Sequence, residues 1–274
     1  MDLVLTNLTT ENGSKYSALV KDIIDKDFRE LNGKYSSFKV ITFRAELTSI
    51  EVVNKEVSDF MGEKAISLTG EDFAIRNTAN PPKACLEINI SMFEKFQDWK
   101  QRFAIRHELA HLSFNSKLSE TLNRLISKYG LDKIRAFVRF QHEYIVHRLM
   151  IKRWEEDWLK EPVGFNESMP NPALAALNIR KTRGRREAML FCIQNITHLL
   201  TLLKLYNIVS NHNRQVSKAK KIRLKKYRLS FYNALNVDSK NFPDPVDWFN
   251  EEDFCSEELY FQKIEELLLI LDKA

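Results

Sequence analysis

Phe103-Ala104-Ile105-Arg106-His107-Glu108-Leu109-Ala110-His111-Leu112 is the stretch on which the reading of this chain turns. Two histidines four positions apart, the first followed by glutamate, sit inside a helical pattern running from Met92 to Phe114. In that pattern Phe93, Phe96, Phe103, Ala104 and Leu112 recur at near three- and four-residue steps. On a helix, residues four apart point within about 40° of each other one turn apart, so both imidazoles can reach one ion, while Glu108 lies about 100° round. Zinc, held at about 2.0–2.1 Å from nitrogen, needs that convergence. The intervening glutamate can then hydrogen-bond a water in the open coordination position and act as general base, which makes HExxH a metal-hydrolysis signature.

Working outward on the N-terminal side, Ala84 to Ile90 alternates as a strand, with Ser91 as an N-cap for the motif helix and Asn80-Pro81-Pro82 as a loop before it. Ala65 to Ile75 is β-like and broken at Gly70. Phe38 to Leu47 is rich in β-formers. Thr48-Ser49-Ile50-Glu51 resembles a capping box that opens a helix towards Met61-Gly62. Ser14 to Leu31 shows a helical stripe of Leu19, Ile23, Ile24 and Phe28, with Asn32-Gly33 as its stop.

On the C-terminal side, Ser119 opens a helix that stops at Gly130. Leu131 to Trp158 forms a third helical segment with Ile134, Val138, Ile145 and Leu149 on one side. Glu161-Pro162-Val163-Gly164 and Pro170-Asn171-Pro172 interrupt the pattern, and almost everything beyond is helical. The fold class expected is α+β: a small β-sheet packed on the HExxH helix and on a Glu-bearing helix, with a mainly helical C-terminal region. Residues 1–165 form the metal-binding domain in this reading, and residues 166–274 the helical region.

A catalytic zinc usually takes three protein ligands and keeps one position open. No Cys or His follows His111 at short range, so the third ligand is sought in Phe140-Gln141-His142-Glu143-Tyr144-Ile145-Val146-His147. On a helical wheel Glu143 and His147 share a stripe with Ala136, Phe140, Met150 and Trp154, opposite a polar arc of Lys133, Gln141 and Arg148. A carboxylate in an apolar stripe is costly unless paired or metal-bound. Glu143 is therefore the expected third ligand, and His147, one turn on, the partner that orients it or a proton donor. His142, towards the arc of Val138, Ile145 and Leu149, is the rival ligand; its other reading is a core histidine bonded to a backbone carbonyl. For the oxyanion, His147, Tyr144, His142, His198 and His212 are the candidates, and the residues that bind substrate are unknown.

Composition sets the frame for these residues. At 274 residues, 44% hydrophobic and 29% charged, the chain is long enough to bury a core and is neither disordered nor low-complexity. The start, Met1-Asp2-Leu3-Val4-Leu5-Thr6, does not read as a secretory signal, and Phe191 to Ser210 is too polar for a membrane span. Cys85, Cys192 and Cys255 lie far apart and in no CxxC pair, so a reducing cytoplasm is expected and any metal must be held by imidazole and carboxylate. No Gly-rich phosphate loop is present. The net charge of +5 is uneven, with a basic stretch from Arg180 to Arg228 and an acidic one from Asp244 to Asp272.

With these residues in place the chain resembles the gluzincin group of zinc metallopeptidases, particularly the minigluzincins and ImmA/IrrE-like proteins. The likeness covers about a third of the chain: Ala84 to Ile90, His107-Glu108-Leu109-Ala110-His111, and Glu143-Tyr144-Ile145-Val146-His147 at the family's glutamate helix. The resemblance implies one Zn2+ per chain held by His107, His111 and Glu143. It makes Glu108 base and acid for peptide-bond hydrolysis on zinc-bound water, with Ala84 to Ile90 as an edge strand that takes a peptide or protein substrate by strand addition. His147 departs from the family, which often has a small acidic or amide residue there. An added C-terminal segment can keep such enzymes latent; removal of residues after Pro172 would then raise proteolysis of an unfolded substrate.

The alternative is an inactive protease-like binding protein that acts on nucleic acid or a protein partner through its basic C-terminal region. Lys181-Thr182-Arg183-Gly184-Arg185-Arg186 and Lys218 to Arg228, with Tyr227, Phe231 and Tyr232, could neutralise phosphates and stack bases. Intact Glu108 weighs against loss of catalysis. A structural zinc domain is less attractive, since such sites close their shell with four protein ligands, usually including cysteines.

Overall fold

A computed structural model describes residues 1–8, 13–62, 73–77, 82–114, 119–160, 172–209 and 249–273. The chain divides into two compact units, Met1–Asn115 and Ser116–Ala274. The division therefore falls between the HExxH helix and the Glu143 helix, where the sequence reading puts it after residue 165. Residues Glu161-Pro162-Val163-Gly164, on which that reading rests, lie outside the described residues, as do Gly70, Pro81, His212 and the run from Lys218 to Arg228.

The first unit is mixed α and β. Its strands are β1 (Asp2–Asn7), β2 (Ser37–Phe43), β3 (Phe73–Asn77) and β4 (Lys83–Asn89). They form one sheet in the order β1-β2-β4-β3, with β1, β2 and β4 mutually parallel and β3 antiparallel to β4. The parallel strands are joined through α1 (Gly13–Asp27) and α3 (Ile50–Met61), and a short α2 (Leu31–Lys34) follows α1. Six of the seven residues of β2 and six of the seven of β4 are buried, as expected of parallel strands covered on both faces, with Lys39, Thr42, Glu87 and Asn89 as the polar side chains among them. On one face Ile41 and Cys85 pack with Val57 and Met61 of α3. Alternation sends Phe38 and Val40 to the other face, where α1 lies against β2.

One expectation is overturned by this topology. Ala84 to Ile90 is not an edge strand: β4 is paired by β2 from Lys83 to Asn89 on one side and by β3 from Ala84 to Ile88 on the other. Its backbone groups are consumed by the sheet, and the strand at that margin is β3. Asn89, not Ser91, is the N-cap of α4 (Ile90–Phe93); its side chain accepts from Ser91 N at 3.2 Å.

The second unit is helical among its described residues: α6 (Glu120–Tyr129), α7 (Leu131–Lys160), α8 (Pro172–Arg183), α9 (Arg185–Ile208), α10 (Glu251–Cys255) and α11 (Glu257–Lys273). Ser119 caps α6 by accepting from Leu122 N at 3.1 Å, and Gly130, at φ 86°, ends it in a conformation that favours glycine. α7 packs against α6, α9, α10 and α11. An aromatic core of Tyr144, Phe249, Phe254, Tyr260 and Phe261, each at most 1% exposed, lies between α7 and the C-terminal helices.

The acidic C-terminal segment meets basic side chains of its own unit. Glu265 takes a bidentate grip from Arg124 at 2.9 and 2.6 Å, and Asp272 accepts from Tyr129, Lys128 and Arg186. No helix among the described residues is long and apolar enough to cross a membrane.

Candidate metal centre

The HExxH sequence lies on α5 (Asp98–Ser113), which the chain enters after a break at Glu94 to Gln97. The single helix expected from Met92 to Phe114 is thus two helices. Gln101, buried, closes the break by donating from Nε2 to Phe93 O at 3.2 Å and Phe96 O at 2.9 Å. Downstream, Gln101, Ile105, Leu109 and Leu112 form a buried stripe at four- and three-residue steps, joined by Phe103 and Ala110.

Three cationic side chains tie the helix to its neighbours. Arg102 reaches Asp22 at 3.2 Å and Arg106 reaches Asp27 at 2.8 Å, both on α1. Past the last turn, Lys34 donates to Leu112 O at 2.5 Å and Phe114 O at 2.9 Å, satisfying carbonyls that the helix itself leaves without partners. The histidines therefore project from a helix tied to its neighbours at both ends.

His107 Nε2 and His111 Nε2 stand 3.2 Å apart, with the rings nearly perpendicular at 80°. Two nitrogens on one tetrahedral zinc, each bound at about 2.0–2.1 Å, are separated by about 3.3 Å. The pair thus has the edge length of a zinc tetrahedron without rearrangement. Without an ion the same spacing allows an N–H···N hydrogen bond in which one ring donates. Glu108 is half-buried beside them, one residue round the helix. Both nitrogens are Nε2, the outer ring atoms, which leaves each Nδ1 for a partner that fixes the ring.

Glu143, His147, His142 and Tyr144 are on α7, in the second unit. Glu143 Oε2 and His147 Nε2 are 3.6 Å apart across one helical turn. Burial raises the pKa of Glu143, partly offset by the positive charge of Arg139. His147 Nδ1 accepts a hydrogen bond of 3.1 Å from the indole Nε1 of Trp158. Burial lowers the pKa of His142. It also lowers that of His198 on α9, with a smaller contribution from Arg139, and His198 stacks on Phe140 at 4.9 Å.

The helical wheel is corrected at two places. Gln141, expected on a polar outer arc, is 4% exposed and donates to Phe254 O at 3.4 Å, because α10 covers that arc. The buried line of α7 is Ile134, Phe137, Gln141 and Tyr144, while Val138, Ile145 and Leu149 are only half-buried. Tyr144 is fully buried, with its ring 4.8 Å from that of Phe254. The sequence reading left Trp158 without a role: residues eleven apart share a helix face but stand about 16 Å apart along a straight helix, so periodicity alone gives them no contact.

No family model, no curated protein and no solved structure matches the chain.

Proposed function

We propose that the chain is a zinc-dependent metallopeptidase in which His107, His111 and Glu143 hold one zinc ion and Glu108 is the general base for peptide hydrolysis. The observation that carries this reading is the 3.2 Å separation of His107 Nε2 and His111 Nε2, with Glu108 between them in sequence. Glu143, the third ligand in this proposal, is a half-buried carboxylate on α7 whose pKa burial raises, a cost that a bound cation would relieve.

Zinc bound there would acidify a water to a pKa of about 7 and polarise the scissile carbonyl. Glu108, one residue on from His107, takes the proton of the attacking water as the carbon–oxygen bond forms and delivers it to the leaving amine. Two neutral imidazoles and one carboxylate leave the site with net positive charge, which suits a developing oxyanion. For substrate alignment we favour β3, which is at the margin of the sheet and lies against α5. An extended peptide added there would be held by backbone bonds and so with little sequence preference. Cys85, Cys192 and Cys255 lie far apart in sequence and in no CxxC pair, which fits a reducing cytoplasm.

Glu108→Gln tests the reading. The variant is expected to bind one zinc like the wild type while losing hydrolysis of an unfolded protein such as casein. Unchanged hydrolysis in Glu108→Gln would sink it.

A second reading rests on the turn at Gly184, where Arg180, Lys181, Arg183 and Arg185 are all exposed. We propose it as a site for the phosphates of a nucleic acid, separate from hydrolysis. Binding of a generic duplex that weakens steeply with salt, and that is lost when the four residues are changed to Ser, would support it; salt-independent binding would not.

A further inference from the structure

We propose that Trp158 is a positioning residue for the metal ligand Glu143: its indole N–H holds His147 in the tautomer whose Nε2–H faces the carboxylate. The inference rests on the metallopeptidase reading above.

The chemistry of the three side chains fixes the direction of each bond. An indole nitrogen can only donate. Since Trp158 Nε1 lies 3.1 Å from His147 Nδ1, that ring nitrogen accepts and carries no proton. In the neutral imidazole the proton then sits on Nε2, the atom 3.6 Å from Glu143 Oε2. His147 thus presents a donor to the carboxylate without having to be charged. Trp158 is 1% exposed, so water does not compete for its N–H. At 3.6 Å this contact is longer than a hydrogen bond, so the Nε2–H acts on the carboxylate as an aligned dipole that favours the rotamer facing it.

The backbone is arranged for this contact. In a straight helix residues eleven apart are separated by about 16 Å, farther than an imidazole and an indole can bridge. α7 is not straight: Trp154 has φ −144° and ψ 53°, a non-helical conformation between the two partners. The break turns the last part of α7 so that Trp158 comes back against His147, with ring centroids 6.3 Å apart.

The test uses full-length protein labelled with 15N on histidine, at about pH 8, where imidazoles are neutral. Long-range proton–nitrogen correlation is expected to show His147 with bare Nδ1 and protonated Nε2 in the wild type, with or without zinc, and a mixture of tautomers in Trp158→Phe. Competition with a chelator is expected to show zinc affinity reduced about 10- to 100-fold in Trp158→Phe and in His147→Ala. The double variant should be no weaker than His147→Ala, because the two residues act in series.

A protonated Nδ1 in the wild type overturns the proposal and needs no variant to fold. Additive losses in the double variant, or wild-type affinity in Trp158→Phe, overturn it as well. A wild type with the expected tautomer that binds no zinc overturns the metallopeptidase reading, and with it the role of Trp158, while leaving the hydrogen bond intact.

Discussion

Phe254→Ala is expected to destabilise the helical unit by about 3–5 kcal/mol and to loosen the part of α7 that carries Glu143. Phe254 is 0% exposed and its ring lies 4.8 Å from that of Tyr144, 5.3 Å from Phe249 and 5.4 Å from Tyr260. Returning a buried benzyl group to water costs about 1.5–3 kcal/mol. The hollow left behind adds about 24 cal/mol per Å3, or roughly 1–2 kcal/mol if neighbours refill about half of it.

The residues around Phe254 give the loss a direction. Tyr144 follows Glu143 in sequence, and Gln141, two residues before it, donates to the carbonyl of Phe254 itself. α10 therefore supports the glutamate turn from both sides. Urea unfolding followed by far-ultraviolet circular dichroism measures the stability change, and hydrogen exchange at residues 141–147 measures the local one. A loss below about 1 kcal/mol with unchanged exchange would refute the packing assigned to this core.

Two other outcomes follow from the electrostatics and from burial. Glu265 and Asp272 are held below the usual carboxylate range, chiefly by the Arg124 hydrogen bond and the Tyr129 hydroxyl respectively. Their depressed folded values contribute stability that is complete above the unfolded pKa of about 4 and is lost as pH falls through the lower folded value. Acid unfolding should accordingly be less steep in Glu265→Gln; an unchanged acid limb would remove Glu265 from the account. Among the thiols, Cys255 is exposed, Cys85 is fully buried, and burial pushes the Cys192 thiol up to about 12. A thiolate-selective disulfide reagent should therefore modify Cys255 rapidly in the native protein and the other two only on unfolding; fast reaction at Cys192 would contradict its placement in the core.

The local patterns that could be read from sequence are those that local physics fixes. The HExxH helix, the strand at Ala84, the Ser119 cap with its Gly130 stop and the long helix from Leu131 each follow from periodicity or capping within one segment. What could not be read depends on partners distant in sequence. The family resemblance implies that β4 is an edge, yet β3 pairs with it, and Phe73–Asn77 carries a weak strand signal of its own. Gln141 looks solvent-facing because an amide is polar, yet a carbonyl 113 residues away makes it a buried donor.

The same holds at the candidate site. The break before α5 is held by Gln101, whose amide sits within an otherwise helical pattern, and the break at Trp154 carries neither Gly nor Pro. Without that second break the His147–Trp158 contact has no sequence signature. Glu143 and His147, by contrast, were legible as a pair because i, i+4 spacing alone brings them to one helix face.

The most direct test of the central claim is metal content by mass spectrometry on wild type, His111→Ala and Glu143→Ala, each purified and then incubated with zinc and freed of excess. One zinc per wild-type chain, lost in both variants, is the expected result. No zinc on the wild type would contradict the metallopeptidase account, and full retention in Glu143→Ala would remove the carboxylate from the ligand set and return His142 to consideration.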